Sequence, residues 1–366
     1  MKKQKINNKT NEILKKYSLC KFCSIRLTSK KNSKSAGKCF ICKNIFQQLD
    51  CMLPRILDSI SSYEFSNFET GVILKPSLTD KDDHIKSKFQ LKGVSSIKTN
   101  VNHELSKKLI RKTGAKINHI NSDLIIKVNF KDDSYEIHSR PFNIYGRYIK
   151  KSRMLVQKQR KCIKCHGKGC YSCNFHGLQN FDSVEGQITK FLIKKCNCLQ
   201  VKINWIGGEE KSSLVLGNGR PFFAKIINPK KRKIIIRKKI ELEDIELLEL
   251  RKIVAPLKDQ ILFKSKIVAI VKTDDLIKDK VFTDLEKLKM PLQIQTHGRK
   301  ATTKQIYKIT FKKMPQKLLK INMSIDGGIP LKSFIQGFNV TPNCTDLLKS
   351  KCECIQFDFK KIDVMS

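Results

Sequence analysis

Two groupings of residues in this chain have types and spacings that could do chemistry. The first is Gly207-Gly208-Glu209-Glu210-Lys211-Ser212-Ser213-Leu214-Val215-Leu216-Gly217-Asn218-Gly219-Arg220-Pro221-Phe222. Here a glycine-rich turn carrying two carboxylates runs into a short apolar stretch and then a Gly-Arg-Pro turn. Backbone and carboxylate are thereby held beside a buried element, which is how a site is presented. A plain hairpin would share the pattern, so the turn alone leaves both readings open.

The second grouping is cysteine. Cys20-x-x-Cys23 is followed, after fifteen intervening residues, by Cys39-x-x-Cys42, and Cys162-x-x-Cys165 and Cys170-x-x-Cys173 fold back across a short glycine loop. Four thiolates complete a tetrahedron, and a closed four-sulfur shell suits structural zinc, so two such sites are expected. His166 and His176 are then not needed as ligands. Cys51, Cys196 and Cys198 fall outside the pattern and read as structural, with Cys51 expected to be buried.

The elements that must position these groups follow from apolar spacing. Leu53, Ile56, Leu57 and Ile60 predict a helix from Met52 to about Phe68, and Val72-Ile73-Leu74 a strand. The polar run Ser77 to Lys88 reads as a linker, and a helix is expected near Asn102 to Thr113. Two strands, 123–130 and 134–138, are joined by the turn Lys131-Asp132-Asp133. A strand from Pro141 leads into Arg147, Tyr148, Lys150, Lys151 and Arg153, a mixture of cations and an aromatic suited to tracking an RNA backbone and stacking a base. Ser183 is a candidate N-cap, and a strand ending at Trp205 delivers the chain to the acidic turn. Trp205 reads either as half-buried packing or as a base-stacking ring. Beyond the turn, 224–227 and 264–271 read as strands and 244–254 as an amphipathic helix. The Lys30-to-Lys34 run and the loop with Arg299 and Lys300 are basic and suited to phosphate.

Over 366 residues, 40% hydrophobic content is enough for two or three domains with real cores. The formal net charge is +41, from 74 Lys and Arg against 33 Asp and Glu, which points to a polyanionic partner. No stretch approaches the roughly 18 uninterrupted apolar residues of a membrane span. The basic start, Met1-Lys2-Lys3-Gln4-Lys5, is not followed by an apolar run, so no secretory signal is expected. Fourteen cysteines without one argue for a reducing compartment, cytoplasm or nucleus.

Gly146-Arg147-Tyr148-Ile149-Lys150-Lys151-Ser152-Arg153, the knot from Cys162 to Cys173, Ser183-Val184-Glu185 and Leu216-Gly217-Asn218-Gly219-Arg220-Pro221-Phe222 occur in that order. Together they resemble the archaeal and eukaryotic pseudouridine synthases that modify the T-loop of tRNA, well over 140–360 and loosely before it. The resemblance implies an α+β fold. An N-terminal zinc-stabilised α/β RNA-binding region would comprise residues 1–90 and a small module at 91–145. A catalytic domain with a mixed, mainly antiparallel sheet would span 146–366 and carry the knuckle 162–173 as an insert. It implies tRNA as partner, action at uridines 54/55, no organic cofactor and a monomer.

The family's Gly-Arg-Glu-Asp turn falls on Gly207, Gly208, Glu209 and Glu210, so the position of the catalytic Asp is Glu210. Lys332 falls on the basic position that pairs with that carboxylate. Ile267 stands where a Tyr packs on the target base, and Pro330 where a second Tyr is usual. Arg147, Tyr148, Lys150, Arg153, Arg220, Ile267, Arg299 and Lys300 are the expected RNA contacts. A pseudouridine synthase using Glu210 and Lys332, and a non-catalytic zinc-containing tRNA-binding or RNA-folding protein, are both compatible with these departures.

Overall fold

The structure, a computed structural model, describes residues 10–30, 37–236, 239–254, 261–297 and 301–365. Arg299, Lys300 and most of the Lys30-to-Lys34 run lie outside them. The chain divides into two compact units, one of residues 1–140 with 228–232 and one of 141–227 with 233–366.

The first unit carries α1 (residues 10–16), α2 (Lys21–Thr28), α3 (Ile45–Ile60), β1 (Asn67–Ile73), α4 (Pro76–Lys88), α5 (Ile97–Thr113), β2 (Lys116–Ile117), β3 (Leu124–Asn129) and β4 (Ser134–Ser139). Its sheet has the order β2-β1-β3-β4, with β1 parallel to both neighbours and β3 antiparallel to β4. Phe68, Ile126 and Val128 of the sheet and Ile97, Val101 and Leu105 of α5 share one core. The run expected to be a linker is α4. Pro76 opens it, Leu78 and Ile85 are buried, and buried Asp82 pairs with Arg26 and, at 2.7 Å, with Lys86 while accepting from the Ile97 amide. A polar helix needs only that narrow buried stripe. Cys51, expected to be buried, is exposed on α3.

The second unit carries β5 (Phe142–Lys150), α6 (Val184–Cys196), β6 (Gln200–Trp205), β7 (Val215–Ile227), β8 (Ile235–Ile236), β9 (Ile240–Glu241), β10 (Ile245–Ile253), β11 (Phe263–Thr273), α7 (Asp279–Glu286), β12 (Leu292–Thr296), β13 (Thr302–Met314), β14 (Leu318–Asp326), α8 (Leu331–Gln336), β15 (Val340–Thr341), α9 (Cys344–Leu348) and β16 (Cys352–Val364). These strands form a twelve-stranded sheet in the order β15-β12-β13-β14-β11-β16-β7-β5-β10-β8, with β6 on β7 and β9 on β10. Among its described pairings only β16 with β7 is parallel, so the sheet is mixed and mainly antiparallel as expected. Ser183 caps α6 by accepting from the Gly186 amide at 2.9 Å.

The segment expected to be an amphipathic helix at 244–254 is β10, paired with β5. Its register shifts between Leu248 and Arg251, and Glu249 has φ +54°. That bulge inserts a residue into the alternation, so the apolar positions take a spacing that imitates a helix.

Candidate active site

The turn between β6 and β7 gives its two adjacent carboxylates opposite environments. Glu209 points inward and its side chain is fully buried. Oε2 accepts from the Tyr148 hydroxyl at 2.9 Å and from Arg220 Nε at 3.1 Å, and Lys150 Nζ lies 3.6 Å from Oε1. Arg220 also donates to the Ile206 carbonyl at 3.1 Å, and its guanidinium lies 4.3 Å from the Phe359 ring centre. Lys150 donates to the carbonyls of Leu155, Glu210 and Lys211 at 2.9, 3.0 and 3.3 Å. Burial drives the Lys150 pKa down, with Glu209 pulling the other way. Burial and then Glu209 raise the Tyr148 phenol well above its usual value, so it stays a donor. A buried anion between two cations is tolerated because each charge has partners.

This network corrects the reading of Arg147, Tyr148 and Lys150 as an RNA-facing surface. All three are buried on β5. Arg147 donates to the carbonyls of Asn218, Gly219 and Ile362 and, at 2.9 Å, to the Tyr145 hydroxyl, which ties β5 to β16 and to the Gly-Arg-Pro segment, expected to be a turn but running inside β7. Arg220 is likewise buried rather than displayed. Arg153 is partly exposed, but its guanidinium grips Asp358 at 2.8 and 2.9 Å and donates to the Ser212 carbonyl. These cations are the scaffold that fixes the turn.

Glu210 points outward. Its Oε2 lies 2.5 Å from Lys332 Nζ on α8, with side chains 35% and 48% exposed. The expected pair therefore meets, and Glu210 raises the Lys332 pKa above its usual value, keeping the ammonium charged. Cys354 is close enough for Glu210 to contribute, after burial, to a thiol pKa pushed up to about 11.

A cavity of about 230 Å³ has a lining that includes Gly208, Arg220, Phe263, Ser265, Ile267 and Leu331. Gly208 lies two residues before Glu210, and Leu331 adjoins Lys332. Ile267 is thus a cavity wall. Phe263, Ser265 and Ile267 lie on one face of β11, as alternation requires. Phe263 escaped the sequence reading, although an aromatic four residues before Ile267 on a strand is the next ring available on that face. Its ring is seated by two glycines: a Cβ at Gly207 would come 2.5 Å, and one at Gly327 2.4 Å, from it. Glu209 was also not singled out as the hub of the turn, because its partners Tyr148 and Lys150 lie some sixty residues away in sequence.

Two cysteine groups can each hold a metal ion. The sulfurs of Cys20, Cys23, Cys39 and Cys42 lie within 4.8 Å of one another, and so do those of Cys162, Cys165, Cys170 and Cys173. Neither His166 nor His176 joins them.

Comparison with known proteins identifies the family. The family profile "Pus10, C-terminal" matches residues 143–363, and "Pus10 THUMP domain, archaeal" matches 53–129. The tRNA pseudouridine synthase Pus10 of Nitrosopumilus maritimus is 40% identical over 377 residues, covering 99% of both chains. That of Cenarchaeum symbiosum is 32% identical, covering 93% of this chain and 84% of its own, and that of Archaeoglobus fulgidus 26%, covering 83% and 88%. With profiles matching both units and a full-length relative at this identity, the chain belongs to the Pus10 family of tRNA pseudouridine synthases.

Proposed function

We propose that this protein binds tRNA and isomerises a T-loop uridine, at position 54 or 55, to pseudouridine, with Glu210 as the reacting carboxylate and Lys332 as its partner. The reaction breaks the N1–C1′ bond, turns the base and forms a C5–C1′ bond. The C5 proton is lost and N1 gains one, so no redox partner or organic cofactor is required. What the reaction needs is an ionised carboxylate at the sugar, as nucleophile or base, and a place for a flipped base. The observation carrying the reading is the 2.5 Å Glu210–Lys332 pair, beside a cavity walled by Ile267, Ile325, Ile329 and Phe359. Lys332 orients the carboxylate through their 2.5 Å contact, and the buried Glu209–Arg220 pair holds the turn from beneath.

The two four-cysteine groups are assigned to structural zinc, because four soft thiolates close a tetrahedral shell and leave no open position. No helix among the described residues is long and apolar enough to cross a membrane, and free thiols suit a reducing compartment.

The test is incubation of an unmodified tRNA transcript with the protein and with Glu210→Ala, followed by chemical mapping of pseudouridine. Pseudouridine in the T-loop with the parent protein, none with the variant and equal binding by both are expected. Binding without pseudouridine in either case would leave a non-catalytic tRNA-binding protein.

A further inference from the structure

The cavity beside Ile267, of about 230 Å³, has a larger neighbour. A groove of about 750 Å³, roughly three times that volume, adjoins it in the same unit. Both are lined by Phe263, Asp326, Gly327 and Gly328, so the Phe263 ring is a wall common to the two. The groove's other aromatic walls come from three further strands: Trp205 from β6, Phe223 from β7 and Tyr307 from β13, all partly exposed. Leu262 and Met365, 55% and 42% exposed, add apolar surface at its edge.

Its charges favour an anionic chain. Lys304 lines the groove, and the Lys264 ammonium lies 3.6 Å from the centre of the Tyr307 ring. The acid present, Asp326, has both oxygens engaged, accepting from the Tyr307 hydroxyl and from the Gln305 amide at 2.9 Å each. The Tyr307 ring is thereby held from its edge.

We propose that this groove is a second nucleobase subsite, which receives the base of a nucleotide flanking the target uridine. It rests on the reading of the Glu210 cleft as the place where that uridine is held. Flipping a base out of a stacked loop strips its neighbours of a stacking partner. Aromatic walls restore that contact with any base, because every base offers a π-face, while lysines meet the backbone. Continuity through Phe263 is what selects a flanking nucleotide over a free ligand, since a base entering here is one wall away from the base in the smaller cavity.

Trp205 is the chain's single tryptophan, so intrinsic emission reports on the groove directly. The experiment titrates the full-length protein with a T-stem-loop RNA and with the same RNA made abasic at either nucleotide flanking the target, while dye anisotropy follows binding. The intact RNA is expected to quench Trp205. One abasic substitution should abolish the quench and weaken binding on the order of tenfold, the loss of one stacked base. Tyr307→Ala should weaken binding of the intact RNA similarly but add nothing with that abasic RNA, and Tyr307→Phe, which keeps the ring, should bind near normally. Saturated binding without quenching, quenching indifferent to both abasic substitutions, or equal losses in Tyr307→Phe and Tyr307→Ala would overturn the subsite. None of these readouts needs turnover. An abasic-sensitive quench without pseudouridine would leave the subsite standing and the catalytic reading fallen, and the converse result would do the reverse.

Discussion

Glu210→Asp is the perturbation whose size can be worked from the geometry. The backbone at Glu210 is pinned: its carbonyl accepts from Lys150 Nζ at 3.0 Å and from the Ser213 amide at 3.1 Å, and the Lys211 carbonyl accepts from the same ammonium. The turn therefore cannot advance to compensate for a shorter side chain. Removing one methylene withdraws the carboxylate by about 1.5 Å, so the contact with Lys332 opens to roughly 4 Å unless the lysine follows. Lys332 is half exposed on a flexible stem and can follow, so the pair itself loses only about 1 kcal/mol or less. The sugar of a bound uridine cannot follow. A misplacement of about 1 Å costs on the order of a hundredfold in rate, or about 2.7 kcal/mol of barrier. Single-turnover pseudouridine formation on a T-stem-loop transcript should thus fall about a hundredfold with Kd unchanged. A variant as fast as the parent, or faster, would refute the reasoning, because it would show that the pinned turn does not set the reach of the carboxylate.

Other consequences follow from the same contacts. Arg220→Met leaves Glu209 buried with its guanidinium partner gone, and chemical denaturation should show a loss of about 3–5 kcal/mol; a loss under about 1 kcal/mol would mean that the pair does not hold the turn. Metal analysis should give two zinc ions per chain for the parent and one for Cys173→Ser, and unchanged content in the variant would contradict the second site. Because Glu210 raises the Lys332 pKa, the stability contributed by that pair is complete below the usual lysine value and is lost only as pH rises through the raised one. The difference in Tm between the parent and Lys332→Met should then stay constant from about pH 6 to about pH 9, and a difference that vanishes within that window would contradict the pairing.

What could be read from the sequence was what local spacing encodes. The cysteine pairs announced both metal-capable groups, since ligand spacing within a knuckle is a local property. The Glu210–Lys332 contact was legible only through the family resemblance, since nothing local to residue 332 marks it as the partner of a carboxylate over a hundred residues earlier. The inward turn of Arg147, Tyr148 and Lys150 was not legible. A buried cation reads like an exposed one until its partner is known, and here the partners are Glu209 and carbonyls across the sheet. β10 was hidden by its bulge at Leu248–Arg251, and α4 by having only Leu78, Asp82 and Ile85 to bury.

The central claim is that the Glu210 carboxylate drives exchange of the N1–C1′ bond for a C5–C1′ bond, a change that must expel the hydrogen on C5. Tritium release from tRNA labelled at uridine C5 measures it directly. The account predicts release by the parent protein, up to one equivalent per target uridine, and none by Glu210→Gln at saturating binding. Release by the variant at the parent rate, or none from the parent itself, would contradict it.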